Sequence, residues 1–153
     1  MNINIRTAVK GNYKEILSKF DRSLFEALTP PGAQVELVRF DGSHKGDTVH
    51  IRMKLMGFIK QDWVSEITQE GATERRAWFT DEGVKLPFFL GRWKHNHIIE
   101  NHGDTAVIVD DIHFNSPSIL LDPFLWPVLY LQFLYRRPIY RRIFGRAEEK
   151  SLG

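Results

Sequence analysis

Apolar and polar residues alternate along most of this chain, and the period of the alternation changes in three places. Asn2–Lys10 sets Ile3, Ile5, Thr7 and Val9 on one face and reads as a strand. Gly11-Asn12 ends it, and Asn12 is placed to cap a short helix over 13–20 with Ile16, Leu17 and Phe20 inward. A second short helix, 22–28, carries Leu24, Phe25 and Leu28 and stops at Thr29-Pro30-Pro31-Gly32. Strands then follow one another. One is expected over 34–41. The next, 47–55, sets Val49, Ile51, Met53 and Leu55 against His50, Arg52 and Lys54, the clearest half-buried pattern in the chain. A third, 61–69, places Trp63, Ser65 and Ile67 together, and a fourth covers 73–81. Residues 82–90 read as an apolar loop containing Leu86, Pro87, Phe88 and Phe89. The last two strands, 92–101 and 104–115, are joined by His102-Gly103 as a tight turn.

After Ser116-Pro117 the period becomes helical. Asp122 is expected to cap a long helix, with Pro123 at its first position. Phe124, Val128, Leu131 and Tyr135 form one stripe, extended by Leu125, Leu129 and Phe133. Pro138 should kink or break this helix, 139–144 can continue it, and Gly145 ends it. The order is strand, two short helices, about six strands joined by hairpin-length connections, and one long helix. It predicts an α+β fold in which a curved antiparallel sheet wraps around the C-terminal helix and leaves space for a ligand between them. One domain is expected over 1–146, with 147–153 a frayed tail.

The chain has 153 residues, enough for one domain with a sizeable core. Aromatic residues make up 12%, and such side chains can wall a concave interior. There are no cysteines, so disulfides, thiol catalysis and Cys-ligated zinc are excluded. The start of the chain lacks the apolar core of a signal peptide, and the apolar stretch 119–135 is interrupted by Asp122, Pro123, Pro127 and Gln132, which makes it a poor membrane span. A cytoplasmic location is the default. Net charge is +2, which does not imply nucleic acid, but Arg136, Arg137, Arg141, Arg142 and Arg146 crowd the end of the chain. They suit a helix C-terminus. Beside Phe133, Tyr135, Tyr140 and Phe144 they could also make weak contact with a membrane surface. No base-reading motif accompanies them, so nucleic acid is not expected.

A run of local motifs crosses nearly the whole chain. It comprises Trp63-x-Ser65-x-Ile67, Phe79-x-Asp81, Pro87-Phe88, Trp93-x-His95-x-His97-x-Ile99, Asp110-x-Ile112-x-Phe114-x-x-Pro117 and Phe133-x-Tyr135-Arg136. With the element order, these resemble the START-like superfamily, also called SRPBCC or the helix-grip fold. Within it they are similar to a bacterial group of ligand-binding SRPBCC proteins, some described as cell-division inhibitor-like. Leu86 stands where that group usually has Gly, and Ile99 where it has Phe. The resemblance implies a pocket and an architecture rather than a reaction.

The chemistry-bearing residues cluster on the last strands. Trp93, His95, His97 and Ile99 share one face of 92–101, opposite Lys94, Asn96 and Glu100. On 104–115 the apolar set is Ala106, Ile108, Asp110, Ile112 and Phe114. A two-residue His102-Gly103 turn sets His95 across from Asp110, and a one-residue slip would oppose it to Val109 or Asp111 instead. A buried carboxylate needs a partner, so His95 and Asp110 are expected to hydrogen-bond. That pair can fix strand register, orient a ligand, or serve acid–base catalysis, although no nucleophile is visible. A metal is not expected at His95 and His97, because the spacing alone is weak and a third good ligand is not evident. No cofactor is implied. Trp63, Phe79, Trp93 and Phe114 each suit a core, but Ser65, His95, His97 and Asp110 share their faces, and apolar walls with a few convergent polar groups describe a small-molecule site. The expected function is therefore binding of a hydrophobic small molecule or lipid by Trp63, Ser65, Phe79, Trp93, His95, His97, Asp110 and Phe114 with Phe124, Val128 and Leu131 of the helix. A cyclase- or hydrolase-like enzyme using His95 and Asp110, and a ligand-free interaction module, are the alternatives.

Overall fold

A computed structural model describes residues 1–148. In chain order the elements are β1 (Asn2–Lys10), α1 (Tyr13–Ser18), α2 (Arg22–Ala27), β2 (Val35–Phe40), β3 (Thr48–Leu55), β4 (Ile59–Ala72), β5 (Arg76–Lys85), β6 (Arg92–His102), β7 (Thr105–Asn115), α3 (Asp122–Leu134) and α4 (Arg136–Phe144). The seven strands form one antiparallel sheet in the order β1-β7-β6-β5-β4-β3-β2. Consecutive strands β2 to β7 are neighbours, as short connections dictate, and only β1 must cross to pair with β7. This is the α+β architecture expected from the alternation.

The short helices start where their caps allow. The Asn12 carboxamide oxygen accepts from the backbone N–H groups of Lys14 and Glu15, and the Asp21 carboxylate accepts from that of Leu24. Each such cap stabilises a helix start by about 1 kcal/mol. The strand expected to end at Asp81 continues to Lys85, because Glu82 and Gly83 still pair with Glu66 and Ser65. Residues 82–85 of the expected loop are therefore strand.

The C-terminal helix is bent rather than continuous, and the break falls at Tyr135, ahead of Pro138. The cause is still Pro138: it has no N–H to donate, and its ring clashes with the carbonyl four residues earlier, on Leu134. Leu121, not Asp122, occupies the capping position. The Asp122 carboxylate is instead turned to the preceding loop, where it accepts from the backbone N–H of Ser116 at 3.0 Å and from its hydroxyl at 2.5 Å.

The tail departs from expectation at its start. Gly145, with φ of 94°, turns the chain back so that its carbonyl accepts from Lys10 N–H at 3.1 Å. Arg146 bridges to Val9, and Ala147 is only 7% exposed. Residues 149–153 lie outside the described residues.

Two apolar clusters hold the halves together. One packs α1, α2 and α4 on the sheet through Tyr13, Ile16, Phe20, Ile99, Ile108 and Tyr140. The other packs α3 on the sheet through Ile3, Trp93, Ile112, Phe114, Leu129 and Phe133. Buried polar residues His95 and Asp110 belong to neither.

Candidate functional site

The β6–β7 hairpin sets the register of the polar residues. Asn101 pairs with Ala106 and His102 with Thr105, so the turn is Gly103-Asp104, one residue later than expected. Gly103 supplies the positive φ of 75° that the turn needs. His95 therefore lies opposite Ile112, and Asp110 opposite His97. The pairing has moved by two residues, an even number, so every side chain keeps its expected face. His95 reaches Asp110 diagonally, with Nε2–H donating to Oδ1 at 3.0 Å.

Asp81 on β5 pairs with His95 on β6 and completes the group. Its Oδ2 accepts from His97 Nε2–H at 2.8 Å and lies 3.6 Å from His95 Nδ1. Its Oδ1 accepts from the Trp93 indole N–H at 3.0 Å. The two imidazoles lie with ring centroids 3.6 Å apart, and His97 stacks on Phe79 at 4.2 Å. From α4, Arg136 Nη1 comes within 3.6 Å of Asp110 Oδ1, and Tyr140 donates its hydroxyl to the same oxygen at 3.5 Å. The Arg136 guanidinium also lies 4.2 Å over the Phe133 ring.

The electrostatics follow from this packing. Burial pushes the Asp110 carboxyl up, but the His95 hydrogen bond and the charge of Arg136 outweigh it and hold the group below its ordinary value. Burial likewise opposes ionisation of Asp81, and the His97 hydrogen bond with the neighbouring imidazoles and Trp93 again wins. Burial, reinforced by His95, pushes His97 down to about 4, so its imidazole is neutral near pH 7. Tyr140 is raised, chiefly by burial and then by Asp110, and stays protonated as a donor. Within this group His97 Nδ1, Asp110 Oδ2 and Arg136 Nε are buried without a hydrogen-bond partner.

This polar group forms part of the lining of a cavity of about 620 Å³ between the sheet and α3. Trp63, Ser65, Phe79, Trp93, His95 and His97 all line it. Asp110 does not; it sits behind His95, 1% exposed. Phe114 packs in the α3 cluster beside Trp93 without reaching the cavity. Of the three helix residues expected, Val128 lines it, whereas Phe124 and Leu131 do not and are 74% and 63% exposed. The inward positions are Leu125, Leu129 and Phe133. The helix is apolar on every side, so its composition gives no phase, and the stripe chosen from spacing is displaced from the buried one.

The membrane contact expected of the aromatic residues near the arginines also changes. Phe133 and Tyr140 are buried, and Arg136 is turned toward Asp110. Three site residues escaped the sequence reading. Asp81 was visible in Phe79-x-Asp81, since alternation puts it on the face of Phe79. Arg136 and Tyr140 were hidden among arginines that suit a solvated helix end. Asp81 also brings a third group of the kind that ligates metals beside His95 and His97.

The whole architecture recurs in known structures. Truncated norcoclaurine synthase from Thalictrum flavum is 12% identical and superposes with a TM-score of 0.67, over 96% of this chain and 95% of that one. Ginseng major latex-like protein 151 from Panax ginseng is 14% identical, with a TM-score of 0.61 over 92% and 97%. The Zhui aromatase/cyclase from Streptomyces sp. R1128 is 12% identical, with a TM-score of 0.58 over 94% and 95%. The fold is the helix-grip fold. At these identities the likeness concerns the fold alone. No family model matches the sequence, and no curated protein matches it. Among the described residues, no helix is long and apolar enough to cross a membrane.

Proposed function

We propose that this protein binds a hydrophobic or amphipathic small molecule, with a lipid as the simplest occupant, in the cavity between the sheet and the C-terminal helices. The observation that carries this reading is the cavity's division of labour. Walls of Trp63, Phe79, Trp93 and Phe133 enclose a floor where His95, His97 and Asp81 converge. Its size of about 620 Å³ is within the range of small-molecule sites. An apolar body would lie along the walls and one polar end would meet the imidazoles. On its motifs we group the chain with the bacterial ligand-binding SRPBCC proteins, some described as cell-division inhibitor-like, acting as one cytoplasmic domain over 1–146.

Weak membrane contact belongs to the same reading. Met56 and Val128 both line the cavity and are exposed, so they mark its mouth. Phe124 and Leu131 on the same helix are also exposed, as are Ile119 and Leu120 just ahead of it in the chain, and Arg142 and Arg146 are exposed in and after α4. A ligand could then enter from a lipid surface. Acid–base catalysis is the second reading, favoured by the Asp110–His95 hydrogen bond, which orients an imidazole whose other nitrogen faces a second carboxylate.

Native mass spectrometry of the protein purified from cells tests the primary reading. A mass excess that survives gentle ionisation and is released by organic solvent as an amphipathic molecule is the expected result. Apo protein alone, together with failure to take up fatty acids or phospholipids on incubation, would overturn it.

A further inference from the structure

We infer that Asp81, His95 and His97 form a binding site for one divalent transition-metal ion, with an open coordination position toward the cavity. The three residues offer one ligand atom each, all within 4.8 Å of one another. Two imidazoles and a carboxylate are a donor set suited to zinc and to other first-row ions that favour nitrogen and oxygen. The inference does not depend on an apolar ligand occupying the cavity.

The geometry is close to what an ion requires. Metal–ligand bonds of about 2.1 Å at tetrahedral angles put neighbouring ligand atoms about 3.4 Å apart. Asp81 Oδ2 lies 2.8 Å from His97 Nε2 and 3.6 Å from His95 Nδ1, on either side of that spacing, and no two of the three ligand atoms are more than 4.8 Å apart. The ion takes the place at Nε2 of the proton that His97 now donates to Asp81, and that proton moves to Nδ1 of the same ring, so the imidazole stays neutral. All three residues stand on adjacent, directly paired strands, Asp81 opposite His95, which holds them more rigidly than a loop would.

The surroundings match the outer shell of a metal site. A ligating histidine commonly donates its second ring N–H to a carboxylate, which fixes the ring and raises its basicity. His95 does this to Asp110, and Asp110 is in turn approached by Arg136 and Tyr140. Trp93 holds the other oxygen of Asp81, leaving Oδ2 aimed at the imidazoles. Charge points the same way. Two carboxylates, Asp110 fully buried and Asp81 with its side chain 14% exposed, stand against one guanidinium, Arg136, an excess of negative charge that a divalent cation reverses. With an anionic oxygen donor in the open position the group is neutral. His95, His97 and Asp81 line the cavity, so that position is open to a water or to a ligand oxygen.

The test uses untagged, chelator-stripped full chain. His44, His50, His102 and His113, which meet carboxylates outside the site, are replaced by Gln to remove competing sites. Titration with Zn²⁺ by calorimetry and with Co²⁺ by visible absorption reads stoichiometry and donor geometry. One equivalent is expected, with a cobalt d–d spectrum of four- or five-coordinate nitrogen and oxygen ligation. Asp81→Asn and His97→Gln should each weaken binding at least tenfold, and Zn²⁺ should raise the thermal midpoint of the parent chain but not of the variants. Binding well below one equivalent, an octahedral aqua-like cobalt spectrum, or binding unchanged by both substitutions would overturn the inference. Should Asp81→Asn not fold, His97→Gln and the parent spectrum decide alone.

Discussion

The two halves of the sheet carry the same alternation of apolar and polar residues and put it to opposite uses. On β1 and β7 the apolar face is closed over by helices: Ile3, Ile108 and Ile112 are fully buried. On β3 the face of Val49, Ile51, Met53 and Leu55 is only half-buried and lines the cavity. The closed half supplies stability and fixes the polar residues in register. The open half leaves apolar surface uncovered, which is what a site for an apolar ligand must do. An apolar residue therefore has two meanings in this fold, and truncation separates them.

The largest expected effect is in the closed half. Ile112→Ala should cost about 2–5 kcal/mol, because the packed neighbours can only partly fill the space. Ile51→Ala, at the cavity, should cost under about 1 kcal/mol, since its side chain is already only half removed from water, but should weaken apolar ligand binding. Chemical denaturation of both variants checks the contrast, and equal losses would erase it.

Next comes the junction between the halves. Asp110→Leu removes the partner of His95 and of Arg136 and should cost about 3 kcal/mol, since breaking a buried ionic group strands the remaining charge. Asp110→Asn keeps a hydrogen-bond acceptor and should cost clearly less. Thermal midpoints of the two variants measure the difference, and identical values would mean that Asp110 merely fills space.

Phe124→Ser and Leu131→Ser should leave stability within about 0.5 kcal/mol, because both side chains are exposed. The pair should lower sedimentation with vesicles of anionic phospholipid. A large loss of stability would show that these residues are covered in the native protein.

The smallest effect is at the outer strands. The His50 hydrogen bond, with help from Arg52 and Lys85, lowers Asp62 to about 2. A depressed carboxyl contributes stability that is fully present above its unfolded value near 3.8 and is lost as pH falls through about 2. Asp62→Asn should therefore flatten the fall in thermal midpoint between pH 4 and 2 by a small amount. A slope equal to that of the parent chain would show that these exposed ion pairs do not act on folding.

Much of the fold was legible because period-two and period-3.6 patterns are set by burial of one face. The bury-one-face rule also placed His95, His97 and Asp110 on the interior side despite the error in the turn, since a two-residue shift preserves facing. It failed where burial is not one-sided. Residues 122–134 are apolar all round, so the choice between the Phe124 and Leu129 faces could not be read from spacing. It failed again at Asp81 and Arg136, whose roles depend on which strand and helix lie beside them. A carboxylate in a strand and an arginine at a helix end look ordinary until β5 is placed against β6 and α4 over Asp110. The half-buried row on β3 was recognised, but alternation alone does not distinguish a face against a core from a face against empty space.

The central claim is that the space between β3 and α3 is a binding cavity. The most direct measurement is titration with an apolar naphthalene-sulfonate dye, read by energy transfer from Trp63 and Trp93, both of which line the cavity. It is done on the parent chain and on Ile51→Trp, which fills the cavity from the wall of β3. Saturable one-to-one binding in the parent chain, lost in a variant that melts as the parent does, is the expected result. Equal binding by both chains would contradict it.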